Sequence, residues 1–288
     1  MGFSVTDDNH HDYNYPNDQL QLSLPIFRRP FSRAKTYLTM KTFLLPMLFV
    51  LFTSNCINAQ QALRKDIVGL LHDFKGEVGV GIMDIEGGDS LSINGNRHFP
   101  MQSVFKFHLA LAVLNLVDQG KLSVDQKVRI EKSDLLPNTW SPIAKKYPEG
   151  NVELTIGELL SYTVSQSDNS GCDILFKLTG GPLRTESFVH SLGVKDVSIG
   201  YTEAQMHERW DVQFKNWSSP VGMVQLLALF GQKKVLDDAT HELLMKFMID
   251  TSTGKNRIKG LLPEAITVAH KTGTSGRNPD GFSAAVND

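Results

Sequence analysis

From Ser103 to Asp118 the chain carries apolar residues on every side of a helical projection, among them Phe105, Phe107, Leu109, Leu111, Leu114 and Val117. A helix that is apolar all round has to be wrapped on all sides. The fold is therefore constrained to run this segment through its middle, and Gly120 supplies the stop. With 288 residues there is chain enough to wrap it and to bury a large core.

The flanking segments say what does the wrapping. Gln60 to Asp73 reads as an amphipathic helix with Leu63, Ile67, Leu70 and Leu71 on one face. Val78 to Ile85 reads as a strand, Gly87-Gly88 as a turn and Ser90 to Ile93 as the returning strand. Thr155-Ile156-Gly157-Glu158 is a capping box that opens a helix to about Val164. Cys172 to Leu178, closed by Gly180-Gly181, is a further short helix, and Pro220 to Phe230 and Asp238 to Ile249 are two more. Ile266 to Thr274 returns to strand character. Strands, a long helical middle and a strand again predict an α/β sandwich, with one antiparallel sheet from both chain ends packed on a helical domain. The α/β part is expected at 60–100 and 250–288, and an all-α part at 101–249.

The first 59 residues read differently. Residues 1–39 are rich in Asp, Asn, Tyr and Pro without periodicity, and are expected to be either upstream sequence that is not part of the protein or a disordered extension. Met40-Lys41, the apolar run Phe43 to Phe52 and Ile57-Asn58-Ala59 have the order of a secretory signal, 40–59, which predicts export to the periplasm. The apolar run is too short for a stable membrane anchor, which needs about 20 residues. Of the two cysteines, Cys56 lies in that segment and only Cys172 follows it, so no internal disulfide is expected. A formal net charge of −2 gives no basic stripe for nucleic acid.

Ser103-Val104-Phe105-Lys106 is an S-x-x-K at the start of the buried helix. Residues three apart share a helix face, so the Lys106 nitrogen can sit beside the Ser103 hydroxyl and take its proton. Two other S-x-x-K strings, Ser32 to Lys35 and Ser252 to Lys255, open no such helix. Ser167-Asp168-Asn169 follows between two helices and Lys271-Thr272-Gly273 on the terminal strand. By average residue usage either triplet arises by chance in roughly one chain of this length in twenty. Alone they read as a capped turn and a strand end; in this order they are a constellation.

These strings resemble the trio shared by class A serine β-lactamases and penicillin-binding proteins, and the similarity spans Gln60 to Asp288. Tyr201 to His207 looks like the Ω-loop of class A, with Glu203 at the position of the deacylating base. Its spacing fits, with 36 residues from Ser167 to Glu203 and 68 from Glu203 to Lys271. The resemblance implies that Ser103 attacks the lactam carbonyl, its proton taken by Lys106, or by Glu203 through a water. It implies an oxyanion hole from the N–H groups of Ser103 and Thr274, each such donor contributing about 3 kcal/mol. Ser167 would pass a proton to the leaving nitrogen, and Asn169 would orient the substrate's side-chain amide. Lys271, Thr272 and Gly273, aided by Arg257, would hold the substrate carboxylate. Trp140 would flank the cleft entrance unless it is a core residue, and His207 would sit near the hydrolytic water. β-Lactam antibiotics and water are the implied substrates of a monomer, and no cofactor or metal is implied.

The departures matter too. The Arg–Asp ion pair that often closes the loop in this family is missing, because Tyr201 and Asn216 stand there. Ala204 replaces a common Pro and His207 a common Asn, and Gln102 precedes the nucleophile. These features resemble an extended-spectrum branch and predict a wider or differently folded loop that admits bulky cephalosporins. Relatives continue past the Lys271 strand with further strands and a helix, so the chain reads as truncated, with that strand as an exposed edge. A D,D-peptidase, a β-lactam sensor domain and an inactive fragment stay open as alternatives. A zinc hydrolase does not, since the nine His residues form no ligand cluster.

Overall fold

The computed structural model describes residues 60–277 and 285–288, so the expected extension (1–39) and signal segment (40–59) lie outside the described residues. Residues 60–71 form helix α1. Its apolar face is present but uncovered among the described residues, with Leu63 46% and Leu70 83% exposed. Strands β1 (Val80–Met83) and β2 (Ser90–Ile93) make the expected antiparallel hairpin, Val80 facing Ile93 and Met83 facing Ser90. Gly88, at φ +76°, occupies the left-handed conformation that the turn requires.

Strand β3 (Phe99–Pro100) leads through a 3-10 turn, Gln102–Val104, into α2 (Phe105–Asp118). Every α2 residue from Phe105 to Leu114 is buried, including Lys106 and His108. The all-round apolar pattern thus marks a central helix. It packs against later helices through ring contacts such as Phe105–Phe176 (centroids 5.8 Å apart) and Phe107–Phe230 (5.5 Å). Burying each such side chain contributes about 1.5–3 kcal/mol.

Three elements follow: β4 (Lys127–Glu131), α3 (Pro142–Lys146) and β5 (Gly150–Thr155). β4 and β5 pair antiparallel, so the stretch expected to be all helix carries a hairpin. Its alternating sequence Lys-Val-Arg-Ile-Glu buries one face, as a strand lying on a core does. Thr155 then caps α4 (Ile156–Ser165): its Oγ1 accepts from Glu158 N at 3.1 Å, and the Glu158 carboxylate accepts from Thr155 N at 2.7 Å. Such a cap contributes about 1 kcal/mol.

α5 (Asn169–Thr179) starts three residues before the expected Cys172, because Asp168 caps it by accepting from Gly171 N at 2.8 Å. It ends at Gly180, φ +85°. α6 (Pro182–Ser191) adds a helix to those expected, with Pro182 at its first turn where no N–H is needed. β6 (Val197–Ser198), α7 (Glu203–Glu208), a 3-10 segment Trp210–Lys215 and β7 (Trp217–Ser218) form the loop region. β7 lies between β3 and β6, antiparallel to both.

α8 (Pro220–Gly231) and α9 (Asp238–Ile249) fall where expected. α8 crosses the first hairpin at Gly81, where an added Cβ would stand 2.7 Å from Pro220 O. After α10 (Ile258–Leu261), strand β8 is only Gly273–Thr274, paired with β9 (Val286–Asn287). The expected strand over Ile266–Thr274 is thus corrected to its last two residues. Upstream the backbone bonds elsewhere: His270 N donates to Met248 O and Thr251 Oγ1 donates to His270 O. β1–β2 and β8–β9 share no ladder among the described residues, so the sheet expected from both ends is present as separate antiparallel pairs.

Candidate active site

The turn before α2 sets the site. Gln102 is held at φ +49°, and its side-chain amide donates to Gln213 Oε1 at 2.9 Å. Ser103 follows, and one helical turn on, Lys106 Nζ donates to Ser103 Oγ at 2.9 Å. The same nitrogen donates to Ser167 O at 2.9 Å and to Asn169 Oδ1. Those three acceptors use the three ammonium hydrogens. Glu203 Oε1, 2.8 Å from Nζ, is therefore a charge partner without a hydrogen bond of its own. Both side chains of this pair are buried. Removing either partner would leave an uncompensated buried charge, a loss of about 3–5 kcal/mol.

Ser167-Asp168-Asn169 enters from the α4–α5 junction. Ser167 adopts φ +60°, which aims its carbonyl at Lys106 and its hydroxyl at Lys271. Asp168 is fully buried and binds the protein to itself: it accepts from Ile143 N at 2.7 Å and from Ser141 Oγ at 3.0 Å, besides capping α5. Burial raises its carboxyl above the ordinary range, although those hydrogen bonds oppose the shift. Asn169 N donates to Trp140 O at 3.0 Å. Trp140 itself is 63% exposed, its indole N–H donating to Gln166 O at 2.7 Å, so it stands at the surface rim and not in the core.

The third wall is Lys271 to Thr274. Lys271 Nζ donates to Ser167 Oγ at 2.9 Å and to Thr272 O at 2.8 Å. Lys271 and Thr272 are buried and so are not the exposed strand end that the string taken alone would suggest. Burial, reinforced by the nearby Lys106 charge, pushes the Lys271 ammonium well below the usual lysine range. Gly273 lies against the turn that carries Ser103, where a Cβ would come within 2.5 Å of Met101 O and 3.2 Å of Ser103 N. Arg257 ties this wall down, donating to Gly273 O at 3.2 Å, Asn287 O at 2.5 Å and Thr274 Oγ1 at 2.6 Å.

Glu203 opens α7, and Asp173 and Asn216 hold it and the loop before it. Asp173 accepts from Glu203 N at 2.8 Å and from Ala204 N at 2.9 Å, satisfying the first donors of the helix. Asp173 is one turn past Asn169 on α5, a spacing that puts both on one face. That spacing was the available signal. Asn216 takes the place of the missing ion pair: its Oδ1 accepts from Gly200 N (2.9 Å) and Tyr201 N (3.0 Å), and its Nδ2 donates to Tyr201 O (2.8 Å). His207, at the far end of α7, directs Nδ1 to Glu203 O at 2.8 Å and Nε2 to Thr139 Oγ1 at 3.0 Å.

The fold therefore brings Ser103, Lys106, Ser167, Asn169, Glu203 and Lys271 into one connected cluster, with Thr272, Gly273, Thr274 and Arg257 on one wall. Trp140 and His207 stand at its outer edge.

A family model described as the β-lactamase enzyme family matches residues 62–285. β-Lactamase VEB-1 of Pseudomonas aeruginosa is 45% identical over 86% of this chain and 83% of its own. The extended-spectrum β-lactamase PER-1 of the same organism is 44% identical over 84% and 79%. A β-lactamase crystal structure from Chitinophaga pinensis superposes with a TM-score of 0.76 at 49% identity, covering 77% of this chain and 82% of that one. The chain belongs to the β-lactamase enzyme family as a class A serine β-lactamase, a hydrolase that opens the β-lactam ring with water and so confers resistance to β-lactam antibiotics.

Proposed function

We propose that Ser103 is the nucleophile and that Glu203 activates the water that releases the acyl group. The observation that carries this is Lys106 Nζ, buried 2.9 Å from Ser103 Oγ and 2.8 Å from Glu203 Oε1. A serine hydroxyl attacks only when a neighbour takes its proton. Here the proton can pass to Nζ once Nζ has given one to Glu203, or to Glu203 through a water. The lactam carbonyl oxygen gains negative charge as Oγ adds, and the N–H groups of Ser103 and Thr274 receive it. When the adduct collapses the C–N bond breaks, and the ring nitrogen takes the Ser167 hydroxyl proton, which Lys271 replaces across 2.9 Å. The proton left on Glu203 or Lys106 by acylation is returned to Lys271; water then adds to the ester, its proton going to the Glu203 carboxylate, and Ser103 leaves as the hydroxyl with a proton from Lys106, which Glu203 replaces.

The substrate carboxylate is assigned to Lys271, Thr272, Gly273 and Arg257. An arriving carboxylate supplies the counter-charge that the buried Lys271 ammonium needs. Asn169 orients the side-chain amide, with Trp140 and His207 on the rim. We also infer acceptance of oxyimino-cephalosporins. Supporting it are Ala204, the Asn216 amide that ties the loop in place of an ion pair, and the similarity to PER-1, whose name describes an extended-spectrum enzyme. Action in the periplasm rests on the signal-like order of residues 40–59.

The test is hydrolysis of a penicillin, a simple cephalosporin and an oxyimino-cephalosporin by wild type and Ser103→Ala. Turnover of all three by wild type and of none by the variant is expected. Retained turnover in Ser103→Ala would remove the nucleophile, and an untouched oxyimino substrate would remove the broader spectrum.

A further inference from the structure

Thr139 belongs to none of the motifs, yet it closes a circuit around the reacting groups. His207 Nδ1 lies 2.8 Å from Glu203 O, a carbonyl that can only accept, so Nδ1 carries the proton. In the neutral ring Nε2 is then the acceptor, and the Thr139 hydroxyl, 3.0 Å away, donates to it. Thr139 Oγ1 in turn accepts from Asn169 Nδ2 at 2.5 Å. Asn169 Oδ1 accepts from Lys106 Nζ, and Lys106 is paired with the Glu203 carboxylate. Five residues from four separate parts of the chain thus make one directional loop: Lys106, Asn169, Thr139, His207 and Glu203. The Asn169 amide is fixed in orientation by it, because its oxygen faces Lys106 and its nitrogen faces Thr139.

We propose that Thr139 is a positioning residue for deacylation, a second tie between α7 and the Asn169 wall, holding the far end of the helix through His207 as Asp173 holds its start. The proposal rests on the role given to Glu203 above. Within α7 the His207–Glu203 contact is local and holds nothing outside the helix. Among the described residues only the Thr139 hydroxyl joins His207 to Asn169. Glu203 must hold a water in line with the ester carbonyl, and a misplacement of about 1 Å at such a point can cost on the order of a hundredfold in rate. The step that suffers is the one in which Glu203 has to place that water, whereas the Ser103–Lys106 contact that starts acylation does not pass through Thr139.

The experiment compares wild type, Thr139→Val, Thr139→Ser, His207→Ala and the double variant Thr139→Val/His207→Ala with one chromogenic cephalosporin. Steady-state constants, quenched intact mass and thermal midpoints are recorded for each. Expected for Thr139→Val is a fall of about tenfold in kcat with a matching fall in KM, so that kcat/KM stays within about threefold, while acyl-enzyme accumulates. Thr139→Ser restores kcat, and the double variant is no worse than the single ones, because one tie is cut only once. The proposal is overturned if Thr139→Val leaves kcat unchanged, or lowers kcat/KM without acyl-enzyme accumulating, or if Thr139→Ser is as slow as Thr139→Val. A wild type that turns over through a Ser103 adduct while Thr139→Val matches it defeats this inference alone. A wild type with no Ser103 adduct defeats the catalytic reading on which it stands.

Discussion

At the scale of single residues, the site depends on how closely two backbones approach. Gly273 has no side chain where one would press on Met101 O and on the N–H of the proposed nucleophile. Gly273→Ala must push β8 away from Ser103, which separates the two proposed oxyanion donors, Ser103 N and Thr274 N, from each other. A loss of about tenfold or more in kcat/KM is expected, with little change in thermal midpoint, and steady-state kinetics on the purified variant check it. The trio itself was legible because its members are contiguous strings, each attached to a helix start or strand that periodicity also marks. Thr139 was not, because its one hydroxyl joins Asn169 and His207, 30 and 68 positions away, and no local pattern records that; Asp173, whose partners lie 30 and 31 positions on, left only its spacing from Asn169 as a signal. Trp140 was left between rim and core by sequence, since its indole N–H could have found a partner in either place; the Gln166 carbonyl holds it at the surface.

At the scale of elements, α7 is short and is held from outside. Its first two N–H groups end on Asp173, whose carboxyl is raised by burial and lowered again by those same two donors. Asp173→Ala would strand them, a loss of about 1–3 kcal/mol. A lower thermal midpoint is expected together with slower deacylation, and Asp173→Asn, which keeps one acceptor oxygen, should fall between. Rapid-quench mass measurements read the second effect separately from the first. Elements that announce themselves by caps and glycines, such as α4, α8 and α9, lie where the sequence places them. The β4–β5 hairpin and α6 do not announce themselves so clearly. The hairpin's strands are separated by α3, and the Gly180-Gly181 that ends α5 also hides the proline start of α6.

At the scale of the whole molecule, the central helix buries a histidine with no charge beside it. His108 is enclosed in α2, neither ring nitrogen has a hydrogen bond of normal geometry, and burial lowers it to about 4 against a small opposing effect of the Val104 carbonyl. In the unfolded chain the ring takes its proton near the ordinary value of 6.5. Between these two pH values only the unfolded chain is protonated, so the stabilisation is complete above about 6.5 and is lost as pH falls toward 4. The loss amounts to about 2–3 kcal/mol at pH 4.5. Asp168 and Asp173, raised in the fold, work in the opposite sense, since the folded state binds their protons more tightly as pH falls. The His108 contribution is therefore read by difference: urea unfolding at pH 7 and pH 4.5 should show a smaller drop in His108→Leu than in wild type. An equal drop would place the acid sensitivity elsewhere.

The proposed division of labour between Ser103 and Glu203 around one buried lysine is tested most directly by intact-mass spectrometry of Glu203→Gln. Mixed with a penicillin and quenched, this variant is expected to hold one ring-opened substrate for minutes, and peptide mapping should place it on Ser103. Wild type under the same conditions should be almost free of adduct while substrate disappears. A Glu203→Gln protein that turns over at the wild-type rate, or carries its adduct on any residue but Ser103, would contradict the account.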